Sequence, residues 1–120
     1  MAYFIETPKF SDSTGSLCVI ERLLPFDIKR VYYIFDVKGE RGGHRHKKTK
    51  QALICLSGSC EIFVDNGMEK NIFSLDKPNQ CLVLEPKDWH TMDSFSKTAT
   101  LVVFASEFYD INDYIDEPYL

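Results

Sequence analysis

The sequence predicts an all-β chain closed into a barrel or folded as two stacked sheets. Short apolar, β-branched and aromatic runs recur along it: "SLCVIERLL", "KRVYYIFDV", "QALICLS", "CEIFVDN", "KNIFSLD", "QCLVLEP" and "ATLVVFAS". Turn signals separate them, among them "STGS", "KGERGG", "SGS", "DNGM", "DKPN" and "EPKD". No window sustains the helical spacing of apolar residues except, at its limit, the aromatic and acidic tail "EFYDINDYID". So many strands in so short a chain must remove their edges by closing or stacking.

With 120 residues, the chain has the length of one domain, 1–120, and its composition of 44% hydrophobic and 27% charged residues is ordinary for a globular core. Asn66-Gly67, between "CEIFVDN" and "KNIFSLD", predicts a tight hairpin, whose central residues both need positive φ. In "RVYYIFDV", alternation puts Arg30, Tyr32, Ile34 and Asp36 on one face and Val31, Tyr33, Phe35 and Val37 on the other. A face carrying Arg and Tyr suits either the lining of a cavity or a solvated exterior.

A formal charge of −4 argues against a general nucleic-acid binder, whose affinity comes from surplus Lys and Arg. The bases are nevertheless concentrated: Arg41, Arg45, Lys47, Lys48 and Lys50 fall within ten positions, whereas Glu107, Asp110, Asp113, Asp116 and Glu117 crowd a base-free tail. A locally positive pocket on an acidic protein suits a small anionic ligand such as a nucleotide or sugar phosphate. Cys18, Cys55, Cys60 and Cys81 show no C-x-x-C spacing, and "MAYFIETPKF" lacks the character of a signal peptide, so reduced thiols and a cytoplasmic location are expected. No apolar run approaches the length of a membrane span.

The chemistry centres on "RGGHRHKKTKQ". In extended chain His44, His46 and Lys48 share a face, opposite Arg45 and Lys47, which are expected to be solvated. Two adjacent imidazoles can move a proton at neutral pH or bind a metal.

Gly39, "HRH", Gln51 and Gly58 are spaced as in the first motif of the cupins, and "PKDWH" resembles the second, with His90 as its inward histidine. This resemblance implies a jelly-roll, or double-stranded β-helix, barrel. Metal-binding cupins place a glutamate where this chain has Gln51, and a neutral amide lacks the anionic oxygen a divalent ion prefers. The segments "SxGSL", "IKRVYYIFDVKGERGxHxHKK", "CLSGSC", "DNG", "LEPKDWHxMxSFS" and "VVFASxFYDxxDYI", from Phe10 to Ile115, further resemble the sugar 3,4-ketoisomerases acting on dTDP-4-keto-6-deoxyglucose. That likeness implies a homodimer with no metal and no cofactor. It also implies that the enzyme makes precursors of 3-amino-3,6-dideoxy sugars for lipopolysaccharide and other bacterial surface glycans.

Exchanging a ketone with its neighbouring alcohol needs a base at carbon 3, an acid and a means of holding the enediolate, but no redox partner. His46 is the first candidate for the base, with a pKa near working pH, and His44 for the group that polarises the keto oxygen or shuttles a proton, with the reverse order open. The resemblance implies a tyrosine facing the sugar, and parity favours Tyr32 over Tyr33 as donor to the oxyanion. Arg30 and Arg41, and third Lys48, are candidates for the diphosphate. Gln51 is placed to bond a sugar hydroxyl or orient His46, Trp89 to wall the pocket, and His90 to occupy the second-motif site. Thr14, before Gly15, and Asp93, after "WHTM", depart from relatives, which leaves both gluco and galacto products open.

Three other functions fit less well: a dTDP-keto-sugar 3,5-epimerase, a non-catalytic sugar-nucleotide-binding cupin and a metal-dependent oxygenase. The first is disfavoured by the short chain and the "HxHKK" segment, the second by retention of both histidines and a tyrosine, and the third by Gln51.

Overall fold

The computed structural model describes residues 1–120. It is almost entirely extended. The strands in chain order are β1 (Tyr3–Glu6), β2 (Lys9–Asp12), β3 (Gly15–Cys18), β4 (Arg30–Phe35), β5 (Arg41–His46), β6 (Gln51–Ser57), β7 (Cys60–Asp65), β8 (Lys70–Leu75), β9 (Gln80–Leu84), β10 (Trp89–Asp93), β11 (Thr100–Ala105) and β12 (Tyr114–Ile115). The one helical turn is a 3-10 turn over Ile111–Asp113. No helix is long and apolar enough to cross a membrane.

Two antiparallel sheets face each other as a jelly roll, one ordered β1-β9-β6-β11-β4 and the other β12-β5-β10-β7-β8, while β2 and β3 form a separate hairpin. Alternation explains the core between them. Leu53 and Cys55 of β6, Ile62 and Val64 of β7, Leu82 and Leu84 of β9, and Leu101 and Val103 of β11 interdigitate in one cluster of 13 buried side chains. The inner face of β4 adds Tyr32 and Ile34 to its margin.

The polar face of β4 therefore points inward. Arg30, Tyr32 and Ile34 are half-buried, whereas Val31, Tyr33 and Phe35 are 54%, 65% and 57% exposed. β4 is an edge strand, and that apolar outer face is open to solvent.

Other expectations need local revision. "SLCVIERLL" is strand only as far as Cys18; beyond it Ile20, Leu24 and Phe26 pack on the outer face of the first sheet, against Ala52, Ile54 and Cys81. The chain does turn at Asn66-Gly67, but through the four residues between Asp65 and Lys70. Of these only Gly67 has positive φ (90°), because the Asn66 side chain stabilises a wider loop by accepting the N–H groups of Met68 and Glu69. The tail forms not a core helix but the 3-10 turn, capped by Asp110, followed by β12 against β5.

β5 carries a bulge where it matters most. Its partner β10 pairs His90 with His44 but Thr91 with Gly42, leaving Gly43 as the extra residue. Gly42 and Gly43 hold φ of 84° and 83°, and a Cβ on Gly42 would sit 3.0 Å from the His90 carbonyl oxygen. Two consecutive glycines thus allow the bend that sets His44 beside His90.

Candidate active site

Three imidazoles meet on the inner face of the second sheet. The rings of His44 and His46 lie 5.1 Å apart between centroids, and those of His44 and His90 are likewise 5.1 Å apart, both pairs edge to face. The first pair follows from alternation along β5; the second from the His44–His90 register across β5 and β10. Tyr114, paired with His46 from β12, closes the group, its ring 4.7 Å from His44 and 4.6 Å from His46.

The opposing sheet supplies the rest. Gln51 is buried and donates its side-chain N–H to the Tyr32 hydroxyl oxygen at 3.1 Å, which leaves the phenol hydrogen free for another acceptor. The Arg30 guanidinium stacks 4.5 Å from the Tyr32 ring centre and 5.2 Å from that of Tyr109. Arg41, exposed at the start of β5, is close enough for its charge to act on the Tyr32 phenol, as do Arg30 and Tyr114.

Each histidine has its own electrostatic setting. Burial, helped by the neighbouring His46, pushes His44 down to about 4. Burial also takes His90 down to about 3; its Nδ1 faces the Asp88 carbonyl oxygen at 3.1 Å and must be the donor there, so the opposite nitrogen carries the lone pair. Burial lowers His46 as well, although the Asp113 carboxylate, 2.9 Å from its Nδ1, opposes the shift. All three rings are therefore neutral at pH 7, and His46 alone has a carboxylate beside it to favour its charged form. Burial raises the Tyr32 phenol above its usual value, which keeps it a donor.

Three buried polar atoms here lack any partner: Nε2 of His46, Nε2 of His90 and Oε1 of Gln51. A buried polar atom left unpaired costs about 1–3 kcal/mol, so several close together mark a place where a ligand supplies the missing bonds. The donor set does not suit a metal centre. Gln51 brings a neutral amide where a divalent ion prefers an anionic oxygen, Asp113 is held by three donors, and no group of three or more His, Cys, Asp or Glu side chains is arranged to hold an ion.

Two candidate positions fall outside the cluster. β5 ends at His46, so alternation does not extend to Lys48, whose side chain is exposed and whose backbone N–H bonds Asp113. Trp89 precedes the inward His90 on β10 and therefore points to the outer face, where it packs 6.3 Å from Phe63 and donates its indole N–H to the Asp116 carbonyl. There it lines a hollow of about 380 Å³ with Glu40, Glu61, Ile72, Thr91 and Asp93. Of the two residues expected to be solvated, Lys47 is exposed, but Arg45 is half-buried with its guanidinium 4.4 Å from the Tyr119 ring centre. Asp113, Tyr114 and Thr49 join the site although sequence reasoning gave none of them a role; Asp113 and Tyr114 fall in the matched segment "DYI", which says nothing of where they fold. Asp113 lies 67 positions from His46, and no spacing rule links residues so far apart.

A family model described as FdtA: WxcM-like, C-terminal, matches residues 2–119. The TDP-4-oxo-6-deoxy-alpha-D-glucose-3,4-oxoisomerase of Aneurinibacillus thermoaerophilus is 49% identical over 115 residues, spanning 92% of this chain and 83% of that relative. Among solved structures, a histidine-to-asparagine variant of the 3,4-ketoisomerase QdtA from Thermoanaerobacterium thermosaccharolyticum, in complex with TDP-4-keto-6-deoxyglucose, matches with a TM-score of 0.93 at 41% identity, over 97% of this chain and 87% of its own. The WlaRB TDP-quinovose 3,4-ketoisomerase of Campylobacter jejuni matches with a TM-score of 0.92 at 39% identity, over 97% of this chain and 92% of its own. With the family model spanning nearly every residue and these relatives covering more than nine-tenths of the chain, the chain belongs to the FdtA, WxcM-like family of sugar-nucleotide 3,4-ketoisomerases.

Proposed function

We propose that the protein converts dTDP-4-keto-6-deoxyglucose to a dTDP-3-keto-6-deoxyhexose by proton transfer among its own side chains. The observation that carries this reading is the buried group of neutral imidazoles, two with unpartnered Nε2 atoms, in a chain belonging to a ketoisomerase family.

His46 removes the hydrogen from carbon 3, the C–H electrons form the C3=C4 bond, and the carbonyl oxygen on carbon 4 takes a proton. The hydroxyl on carbon 3 then gives up its proton, carbon 4 is protonated, and the ketone stands on carbon 3. Atoms and electrons balance without an oxidant. His46 is favoured over His44 because it has a carboxylate at 2.9 Å to stabilise the imidazolium that forms. His44 and His90 border the same reacting edge and serve the oxygens. Tyr32, held protonated and with its hydrogen free, donates to the enediolate. Arg30 and Arg41 bind the diphosphate, and Lys48 contributes charge only from the rim. The product would feed an amino transfer at carbon 3.

The exposed face of Val31, Tyr33 and Phe35, together with Phe10 and Leu17 on the β2–β3 hairpin, supports a homodimer, to be checked by light scattering. Four free cysteines are consistent with a cytoplasmic enzyme.

Proton NMR of dTDP-4-keto-6-deoxyglucose with the protein in deuterated buffer tests the reaction. A new 3-keto hexose supports it. Deuterium at carbons 3 and 5 without that product would mean an epimerase; thermal stabilisation by dTDP without turnover would mean a binding protein.

The pH dependence follows from the site. A protonated imidazole cannot accept the carbon 3 hydrogen, and His46 titrates below 6.5. Turnover should therefore be full at neutral pH and fall as the pH drops through a value below 6.5. No loss from Tyr32 is expected until above pH 10, since its phenol is raised from 10.0. A kcat/KM profile between pH 4 and pH 10 reads the acid limb and should show no basic one.

A further inference from the structure

Three donors converge on the Asp113 carboxylate. Its Oδ1 accepts the Lys48 backbone N–H at 2.9 Å, and its Oδ2 accepts the Thr49 hydroxyl and faces Nδ1 of His46 at 2.9 Å. Burial alone would raise this carboxyl, but the bonds from Thr49, Lys48 and His46 outweigh it and hold the group below the usual carboxylate range. An ionised carboxylate has no hydrogen to give, so the hydrogen of the His46–Asp113 contact sits on Nδ1. A neutral imidazole has only that one N–H. Its Nε2 must then be a bare lone pair, and Nε2 of His46 is one of the buried atoms left without a partner.

We propose that Asp113 is a positioning residue that fixes His46 in the Nδ1–H tautomer and so leaves its Nε2 as the bare lone pair that takes the proton from the substrate. The aim of the carboxylate is set by backbone rather than by side-chain choice. The Asp113 N–H bonds the Asp110 carbonyl at 3.0 Å, and the Asp113 carbonyl accepts the Lys47 N–H at 2.9 Å. The next residues, Tyr114 and Ile115, pair with His46 and Arg45. Farther along, the segment is pinned to the second sheet by the Trp89 indole on the Asp116 carbonyl and by the Tyr119 hydroxyl on the Lys87 carbonyl at 2.7 Å. The acidic tail is thus a strap that carries the orienting group to the second sheet. The functional consequence rests on the reading of His46 as the base.

Asp113→Asn tests this with little change of shape. With its oxygen on the Lys48 N–H, asparagine turns an NH₂ toward Thr49, whose hydroxyl can rotate to accept it, and toward His46, where a donor faces a donor unless the imidazole moves its hydrogen to Nε2. Two-bond nitrogen–proton correlation spectra of histidine-labelled protein at neutral pH read the tautomer directly, with the His46 signal assigned by its loss in His46→Asn. Wild type is expected as Nδ1–H and the Asp113→Asn variant as Nε2–H, with kcat down about 10²- to 10⁴-fold and KM unchanged. An Nε2–H or charged His46 in the wild type overturns the proposal, whether or not the variant folds. So does an Asp113→Asn variant that keeps Nδ1–H. An inverted tautomer with unaltered kcat would uphold the role of Asp113 and remove His46 as the base.

Discussion

Replacing His46 with asparagine is expected to lower kcat by about 10³-fold while leaving dTDP affinity within about twofold, since a positioned general base typically contributes 10²- to 10⁴-fold. The side chain shrinks little, and its amide can still bond Asp113, so the site keeps its shape. What disappears is a group able to take a proton at neutral pH. Burial holds His46 below its ordinary value, and Asp113 limits that fall, so the ring is empty of its second proton before reaction and stabilised once it receives one. Asparagine does neither. Turnover by NMR and binding by calorimetry separate the two quantities; a variant with near-normal kcat would exclude His46 as the base.

Tyr32→Phe should lower kcat by about 10²-fold, in line with the loss of one donor to a developing oxyanion in a water-poor site. A second effect accompanies it. The Gln51 N–H that Tyr32 accepts is buried, and without its acceptor it costs about 1–3 kcal/mol of stability. Kinetics with saturating substrate and urea unfolding distinguish the two consequences. Replacing both residues, as Tyr32→Phe with Gln51→Leu, should recover stability but not turnover, because the orphaned amide is then gone while the oxyanion still lacks its donor.

Local pattern made much of this legible. Alternation in "RVYYIFDV" separates Arg30 and Tyr32 from Val31 and Tyr33, and the structure turns the first pair inward. Which face was inner could not be read from polarity, because the more apolar face is the exposed one on an edge strand. The same alternation, applied strictly, would have separated Trp89 from His90, since neighbours on a strand point to opposite sides. It fails for Lys48 because β5 ends two residues earlier. The spacing of His44 and His46 sets them side by side, but the approach of His90 depends on the Gly42-Gly43 bulge and on strand register. Asp113 and Tyr114 arrive through long-range pairing of β12 with β5, which neither the tail's acidity and aromatic content nor its place in a matched segment reveals.

The most direct measurement is a crystal structure of His46→Asn with dTDP-4-keto-6-deoxyglucose bound. Carbon 3 of the sugar should lie within about 3.5 Å of the residue 46 side chain, at near-attack distance, with the keto oxygen toward Tyr32 or His44 and the diphosphate at Arg30 or Arg41. A sugar seated on the outer face beside Trp89, or one whose carbon 3 points into bulk solvent away from the three histidines, would contradict the assignment of the chemistry to this cluster.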